Sequence, residues 1–203
     1  MRGRDIDRFF TLLSKSLAIR IRIILTGGAV AVLKGSGRAT YDLDFQIAFF
    51  GRSSRNPELF QEAIDKTSRS TGIKVQFDEN IESWSSISWP RLSRISKLYK
   101  RFGKVEVHLL DPLPWSVGKL ARYLSSDIED LILVLKNAKI SPEEAVRAWG
   151  EALGRSPASS AQPLYKQQVL DFLRHHARKI WKVRLDMTGL ESLFLKSARL
   201  AKY

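Results

Sequence analysis

The sequence predicts an α/β chain of the α+β kind: a small mixed β-sheet flanked by helices, then an all-helical C-terminal half. Three observations carry this expectation. Residues 41–49 alternate between apolar and polar, the segments IRIIL (21–25) and KVEVHLL (104–110) read as two more short strands, and after Leu113 no strand pattern recurs. With 203 residues, 44% of them apolar, the chain has enough hydrophobic surface for a core without covalent staples.

Taken in order, residues 5–18 form an amphipathic helix, since Ile6, Phe9, Phe10, Leu13 and Leu17 recur at helical spacing. IRIILTGG is a strand ending on two glycines, followed by a brief helix over 29–33. On the strand at 41–49, Leu43, Phe45, Ile47 and Phe49 point one way and Asp42, Asp44, Gln46 and Ala48 the other. A helix at 57–70 leads through Gly72 into the strand IKVQF. Pro90 then opens a helix with an apolar stripe of Leu92, Ile95, Leu98, Tyr99 and Phe102, stopped by Gly103. On KVEVHLL, Glu106 and His108 share the polar face. Ser126 to Glu129 and Ser141 to Glu144 have capping-box spacing, so helices start near 127 and 142. GRSPASSAQ (154–162) reads as a linker before two basic helices at 163–183 and 187–202. The expected division is a core at 1–112, a helical segment at 113–154 that completes the site, and a basic extension at 155–203.

Composition excludes several chemistries. There is no cysteine, hence no disulfide, thiolate-bound zinc or thiol nucleophile, which fits a cytoplasmic protein. The opening MRGRDIDRFF carries acids and does not read as a signal peptide, and no window approaches the roughly 20 apolar residues of a membrane span. The net charge of +13 is uneven. Ten Lys or Arg against three acids lie between Arg155 and Tyr203, and six basic residues with no acid lie between Ser83 and Val105. Such fields attract polyanions, nucleic acid first; solvated helix faces are the plainer reading. On the expected helices, Arg91, Arg94, Lys97, Arg101 and Lys104 fall on one flank, and Arg174, Arg178, Lys179, Lys182 and Arg184 form a second array, both suited to an RNA backbone.

Asp42 and Asp44 are the chemical centre of the sequence. Two residues apart on a strand, their carboxylates leave one face about 7 Å apart. A divalent cation with a preference for hard oxygen ligands, Mg²⁺ above all, relieves their repulsion. Glu106, on the polar face of another strand, is a candidate third carboxylate for a two-metal clamp. Gly27 and Gly28 expose backbone N–H groups where a strand turns into a helix, which favours a phosphate.

The run from Gly27-Gly28 through Arg38-x-Thr40-x-Asp42-Leu-Asp44, with Glu106 on a later strand, resembles the DNA polymerase β-like nucleotidyltransferase superfamily. It is most similar to the minimal bacterial and archaeal enzymes related to the AbiEii toxins of type IV toxin–antitoxin systems. The likeness spans about residues 20–135 and includes LLDPLPWSVGKLARYLSSDIEDL. It implies Mg²⁺, with Mn²⁺ as its substitute, held by Asp42, Asp44 and Glu106. It implies an NTP bound by Gly27, Gly28, Arg38, Thr40, Lys119 and Arg122, with Asp127 or Asp130 ordering the site. Transfer of a nucleoside monophosphate to an RNA end (tRNA among them) or to a protein side chain follows, as does an antitoxin partner.

Plainer readings stand beside these. The aspartates suit a wet strand face, Glu106 a lone strand acid, and Lys119 an ordinary helix lysine. Asp127 has a sufficient role as a first-turn helix acid, which ranks Asp130 above it. His108 more simply lines a cleft, and the adjacent His175 and His176 cannot share one helix face. Trp84, Trp89 and Trp115 are core residues by default, with base stacking as the alternative. The competing function is a non-catalytic nucleic-acid or partner-binding module on a nucleotidyltransferase fold.

Overall fold

The computed structural model describes residues 1–50, 56–182 and 184–200; Val183 and residues 201–202, the ends of two expected helices, lie outside the described residues. The fold is α/β, with a five-stranded mixed sheet and eight α-helices among the described residues. The chain divides into two compact units. One comprises Met1–Ile81 and Ser96–Leu110, the other Glu82–Ile95 and the chain from Asp111 onward. The first unit ends at Leu110, and Glu82–Ile95, inside the expected core, is part of the second. The expected segments 113–154 and 155–203 belong to one unit.

In the first unit, α1 (Gly3–Ser16) buries Ile6, Phe9, Phe10 and Leu13. Burying each such side chain stabilises the fold by about 1.5–3 kcal/mol. The strands are β1 (Ile21–Leu25), β2 (Asp42–Phe49), β3 (Lys74–Asp78), β4 (Ser96–Phe102) and β5 (Val105–Leu110), in the order β3-β2-β1-β5-β4. β1 runs antiparallel to β2 and parallel to β5. β3 lies parallel to β2, and β4 antiparallel to β5. The short α2 (Gly27–Leu33) and the longer α3 (Pro57–Thr71) connect the first three strands. Asn56 caps α3 by accepting the Leu59 N–H at 3.0 Å, and Gly72, at φ 70°, ends it in the left-handed conformation. Phe10 of α1 meets Phe45 of β2 and Phe102 of β4 at ring separations of 6.3 and 5.9 Å, so α1 covers the apolar face of the sheet. The alternation read from β2 is correct: Leu43, Phe45 and Ile47 are buried on that face, while Asp42, Asp44 and Gln46 are half-buried on the other.

The helix expected after Pro90 does not form. Residues 90–95 are irregular, and Ser96–Phe102 is a strand returning as β5 through a tight turn at Gly103 (φ 54°) and Lys104. The register slips between Leu98 and Lys100, leaving Tyr99 opposite no residue of β5. Its hydroxyl donates to Asp7 on α1 at 3.0 Å, and the Lys100 ammonium pairs with the same carboxylate at 2.8 Å. Burial and the Asp7 contact push the Tyr99 hydroxyl pKa up to about 12. The bulge breaks the strict alternation that would have marked a strand here.

The second unit packs α4 (Pro112–Arg122), α5 (Ser125–Ala138), α6 (Pro142–Arg155), α7 (Ala161–Ile180) and α8 (Met187–Leu200) around Trp149 and Phe172. The Trp149 ring N–H donates to Ser116 Oγ at 2.8 Å, so its one polar atom is satisfied in the core. Trp89 and Trp115 are buried here as well, whereas Trp84 is exposed. Ser141 caps α6 as its spacing predicts, at 3.1 Å from the Glu144 N–H. α5 begins at Ser125, two residues before the expected start at 127, and Asp127 accepts the Leu124 N–H at 3.3 Å. The stretch 154–162 is no free linker. Ser156 is buried, donates to Ala152 O and accepts the Ser88 N–H, while Gln162 donates to Ser156 O at 2.8 Å. No described helix is long and apolar enough to cross a membrane.

Candidate active site

The glycine turn and the aspartate strand meet at the end of β1. Thr26 donates its N–H to Asp44 O at 2.9 Å, extending the β1–β2 ladder by one rung. The chain then turns at Gly27 (φ 60°) into α2. A Cβ at Gly27 would overlap Asp44 Oδ2. At Gly28 it would stand 2.5 Å from Thr40 Oγ1 and 3.5 Å from Arg38 Nη2. Both glycines are therefore required by close approach, and Gly27 also by its left-handed backbone. Five of the six residues read as one motif, Gly27, Gly28, Arg38, Thr40 and Asp44, are neighbours in space.

Thr40 is buried, and its hydroxyl lies 3.3 Å from Asp42 O and 3.5 Å from Asp42 Oδ1. The Thr40 backbone is held in turn by Met1, N–H to Met1 O at 3.0 Å and O to the Met1 amino group at 2.8 Å. The entry to β2 is thus fixed just before the two carboxylates. Beside it, β3 sets Lys74 opposite Asp42, Gln76 opposite Asp44 and Asp78 opposite Gln46. Asp78 therefore shares the face of Asp42 and Asp44, one strand over and two residues along. Sequence reading passed over it because IKVQF was ended at Phe77, one residue short of this carboxylate.

Glu106 is on the expected face but not at the expected place. It is in register with Arg22, and Arg22 with Ala48. Ala48 is four residues along β2 from Asp44, which sets Glu106 about 13 Å along the sheet and two strands across. Its carboxylate is buried among three guanidiniums instead, Arg101 Nε at 3.2 Å, Arg20 Nη2 at 3.4 Å and Arg22 Nη2 at 3.6 Å, with the His108 ring at 3.8 Å. Burial pushes this carboxyl up, but Arg101, Arg22 and Arg20 outweigh it and hold it below the ordinary carboxylate range. Burial and Arg22 push His108 below its ordinary value against the pull of Glu106. Among the described residues, no three acidic or histidine side chains gather closely enough to hold a metal. The Asp42–Asp44–Glu106 triad is not assembled.

Lys119 belongs to the second unit and is not an exposed helix lysine. At 3% exposure, its ammonium lies 2.9 Å from Asp127 Oδ1 and 2.8 Å from Asp130 Oδ2, with the Trp115 ring 5.4 Å away. Arg122 grips Asp127 with two bonds of 2.7 and 2.6 Å. Burial raises the Asp127 carboxyl, yet Arg122 and Lys119 hold it below its ordinary value. Two cations and two carboxylates pair with one another within this unit, a sufficient structural role for all four. Asp127 also accepts the Leu124 N–H, at 3.3 Å.

The first basic array does not lie along one helix, whereas Arg174 and Arg178 of the second lie on α7. Arg91 and Arg94 lie in the irregular segment before β4, in the second unit, and Lys97 and Arg101 lie on β4, in the first. Arg174 is committed to Glu191 through bonds of 2.8 and 3.0 Å. Arg178 is exposed on α7, and Lys182 lies exposed beyond the helix end. Compared with known proteins, the chain matches no family model, no curated protein and no solved structure.

Proposed function

We propose that the chain is a Mg²⁺-dependent nucleotidyltransferase, with Mn²⁺ as the substitute ion, whose chemistry is centred on Asp42 and Asp44. The observation that carries this reading is the contact between the glycine turn and the acidic strand: Asp44 fills the space that a side chain at residue 27 would need. Two half-buried carboxylates on one strand face suit Mg²⁺, which takes one or two carboxylates and completes its shell with water and substrate phosphates. When bound, the ion neutralises charge on the triphosphate and polarises the phosphorus that is attacked.

The chain's own residues do the rest. Asp42 and Asp44 hold the ion, and Thr40 orients Asp42 from beneath. The Gly27 and Gly28 amides admit a phosphate to within hydrogen-bond range, and Arg38 beside them balances its charge. The acceptor hydroxyl oxygen attacks the α-phosphorus of the NTP. A new P–O ester forms, the bond to pyrophosphate breaks, and the acceptor proton leaves to solvent. An RNA end is the proposed acceptor, with an antitoxin partner implied by the same resemblance. Lys119 has no part in this reading, because Asp127 and Asp130 already claim its ammonium.

The test is incubation with each α-labelled NTP, Mg²⁺ and total RNA. Label should enter RNA with one NTP preferred, and Asp42→Asn or Asp44→Asn should reduce transfer at least 100-fold, about 3 kcal/mol of transition-state stabilisation, with an unchanged circular dichroism spectrum. Full transfer by the double Asn variant would reject the reading. RNA binding without any labelling would favour the non-catalytic module.

A further inference from the structure

Glu106 has more cations than it needs. One arginine satisfies a carboxylate with two parallel bonds of about 2.7–2.9 Å. Here three guanidiniums share it, each with a single nitrogen at 3.2 to 3.6 Å. Their side chains remain 67% (Arg20), 42% (Arg22) and 65% (Arg101) exposed, so much of each donor fork faces outward. Arg22 Nε and both ring nitrogens of His108 are buried with no hydrogen-bond partner among the described residues. Three positive charges against one negative leave the cluster about +2, a repulsive arrangement that a second anion relieves.

Phe50 supplies the other half of the site. Arg20 and Arg22 lie over its ring, 5.3 and 5.2 Å from the centroid, and the ring stays 39% exposed. The aromatic face holds the guanidinium planes in place. An exposed aromatic among outward-facing arginines is the pairing that binds single-stranded nucleic acid, with a base on the ring and a phosphate on the cations.

We infer that Arg20, Arg22 and Arg101 form an anion site for a backbone phosphate of single-stranded nucleic acid, with Phe50 as the platform for the adjoining base and Glu106 as a built-in competitor for the arginines. The site lies on the polar sheet face, two strands from the Asp42–Asp44 pair. This deepens the nucleotidyl-transfer reading by giving the acceptor strand a docking point. It rests on that reading only for the strand's role as acceptor, since binding here needs neither metal nor NTP.

The experiment is fluorescence anisotropy of a labelled 12-nucleotide single-stranded RNA in EDTA, over a series of salt concentrations. Arg20→Gln with Arg101→Gln should weaken binding about tenfold and flatten the log–log salt slope by about 1.4, roughly 0.7 for each lost phosphate contact. Arg8→Gln with Lys15→Gln removes the same charge from exposed positions on α1, over the opposite sheet face, and should change affinity less than threefold. Glu106→Gln should tighten binding severalfold, since it frees the arginines. The inference is overturned if the α1 pair weakens binding as much as the Arg20/Arg101 pair, or if Glu106→Gln weakens it. ATP or inorganic phosphate displacing the RNA at micromolar concentration would assign the site to free phosphates and overturn the nucleic-acid assignment. Because no transfer is measured, a protein that fails to label RNA can still pass this test, and the reverse.

Discussion

Lys119 shows how a single buried charge is kept. At 3% exposure, an unpaired ammonium would lose its proton or unfold its surroundings, yet two carboxylates stand within 2.9 Å of it. Removing one partner of such a group leaves the others uncompensated, which typically costs about 3–5 kcal/mol. Lys119→Met should therefore lower the urea midpoint and the melting temperature sharply, as two buried aspartates lose a shared cation. Asp130→Asn in the same background should recover part of the loss by removing one of the two buried charges that Lys119 offsets. Unchanged melting in Lys119→Met would show that the network does not hold the unit together. The partners of Lys119 lie 8 and 11 residues ahead on the next helix, so no local pattern announces them. The aspartate pair and its glycines were legible because Gly27, Thr40 and Asp44 act on one another across a single strand–helix–strand step. Glu106 was half legible. Alternation gave its face correctly, but its position along the sheet depends on pairing through β1, which alternation does not contain.

At the scale of elements, the same residue type was read correctly in one place and misread in another. Gly72 and Gly103 both adopt positive φ, at 70° and 54°, one ending a helix and one making a hairpin turn. A left-handed residue serves both purposes, so Gly103 looked like a helix stop when it was the pivot between β4 and β5. The alternation broken at the Tyr99 bulge completed the error. Gly150, inside α6, is a different case, since its value is lack of volume. A Cβ there would overlap Phe194 O of α8 and stand 2.7 Å from Ser197 Cβ. Helix propensity alone favours Gly150→Ala by up to about 1 kcal/mol. Overpacking against a neighbouring backbone typically costs 1–3 kcal/mol or more, and a backbone oxygen cannot rotate away as a side chain does. The steric effect should win, so Gly150→Ala should lower the unfolding free energy by about 1–2 kcal/mol in urea titration. A stabilised variant would mean that α8 shifts freely over α6. Nothing in the sequence distinguished this glycine from an ordinary weak spot in a helix, because the contact is made by residues more than 40 positions away.

At the scale of the whole molecule, charge should decide the response to acid. Neutralising 21 acidic side chains and charging 3 histidines takes a formal charge of +13 to about +37, and the repulsion is stronger in the compact state, where the charges lie closer together. Specific groups act in the same direction. His108 and His176 are pushed below their ordinary 6.5 chiefly by burial, so the fold favours their neutral form. The stability this contributes is complete above pH 6.5 and is lost as pH falls through the lower folded values. Asp127 and Glu106 are held below their ordinary 3.8 and 4.5 by the cations around them, and their contribution is complete above those values and lost below them. Melting temperature should therefore decline gently from pH 6.5 and steeply below about pH 4.5, with no compensating gain on the acid side. Sodium chloride screens the general repulsion but reaches the enclosed Lys119–Asp127–Asp130 cluster far less. Salt at 0.5 M should raise the melting temperature at pH 3 yet leave a residual acid loss, and Asp127→Asn should shrink that residue while lowering stability at pH 7. Melting curves by circular dichroism from pH 7 to 3, at low and high salt, test this. If salt abolished the acid sensitivity altogether, overall charge alone would govern it, and the buried ion cluster would contribute nothing to the pH dependence.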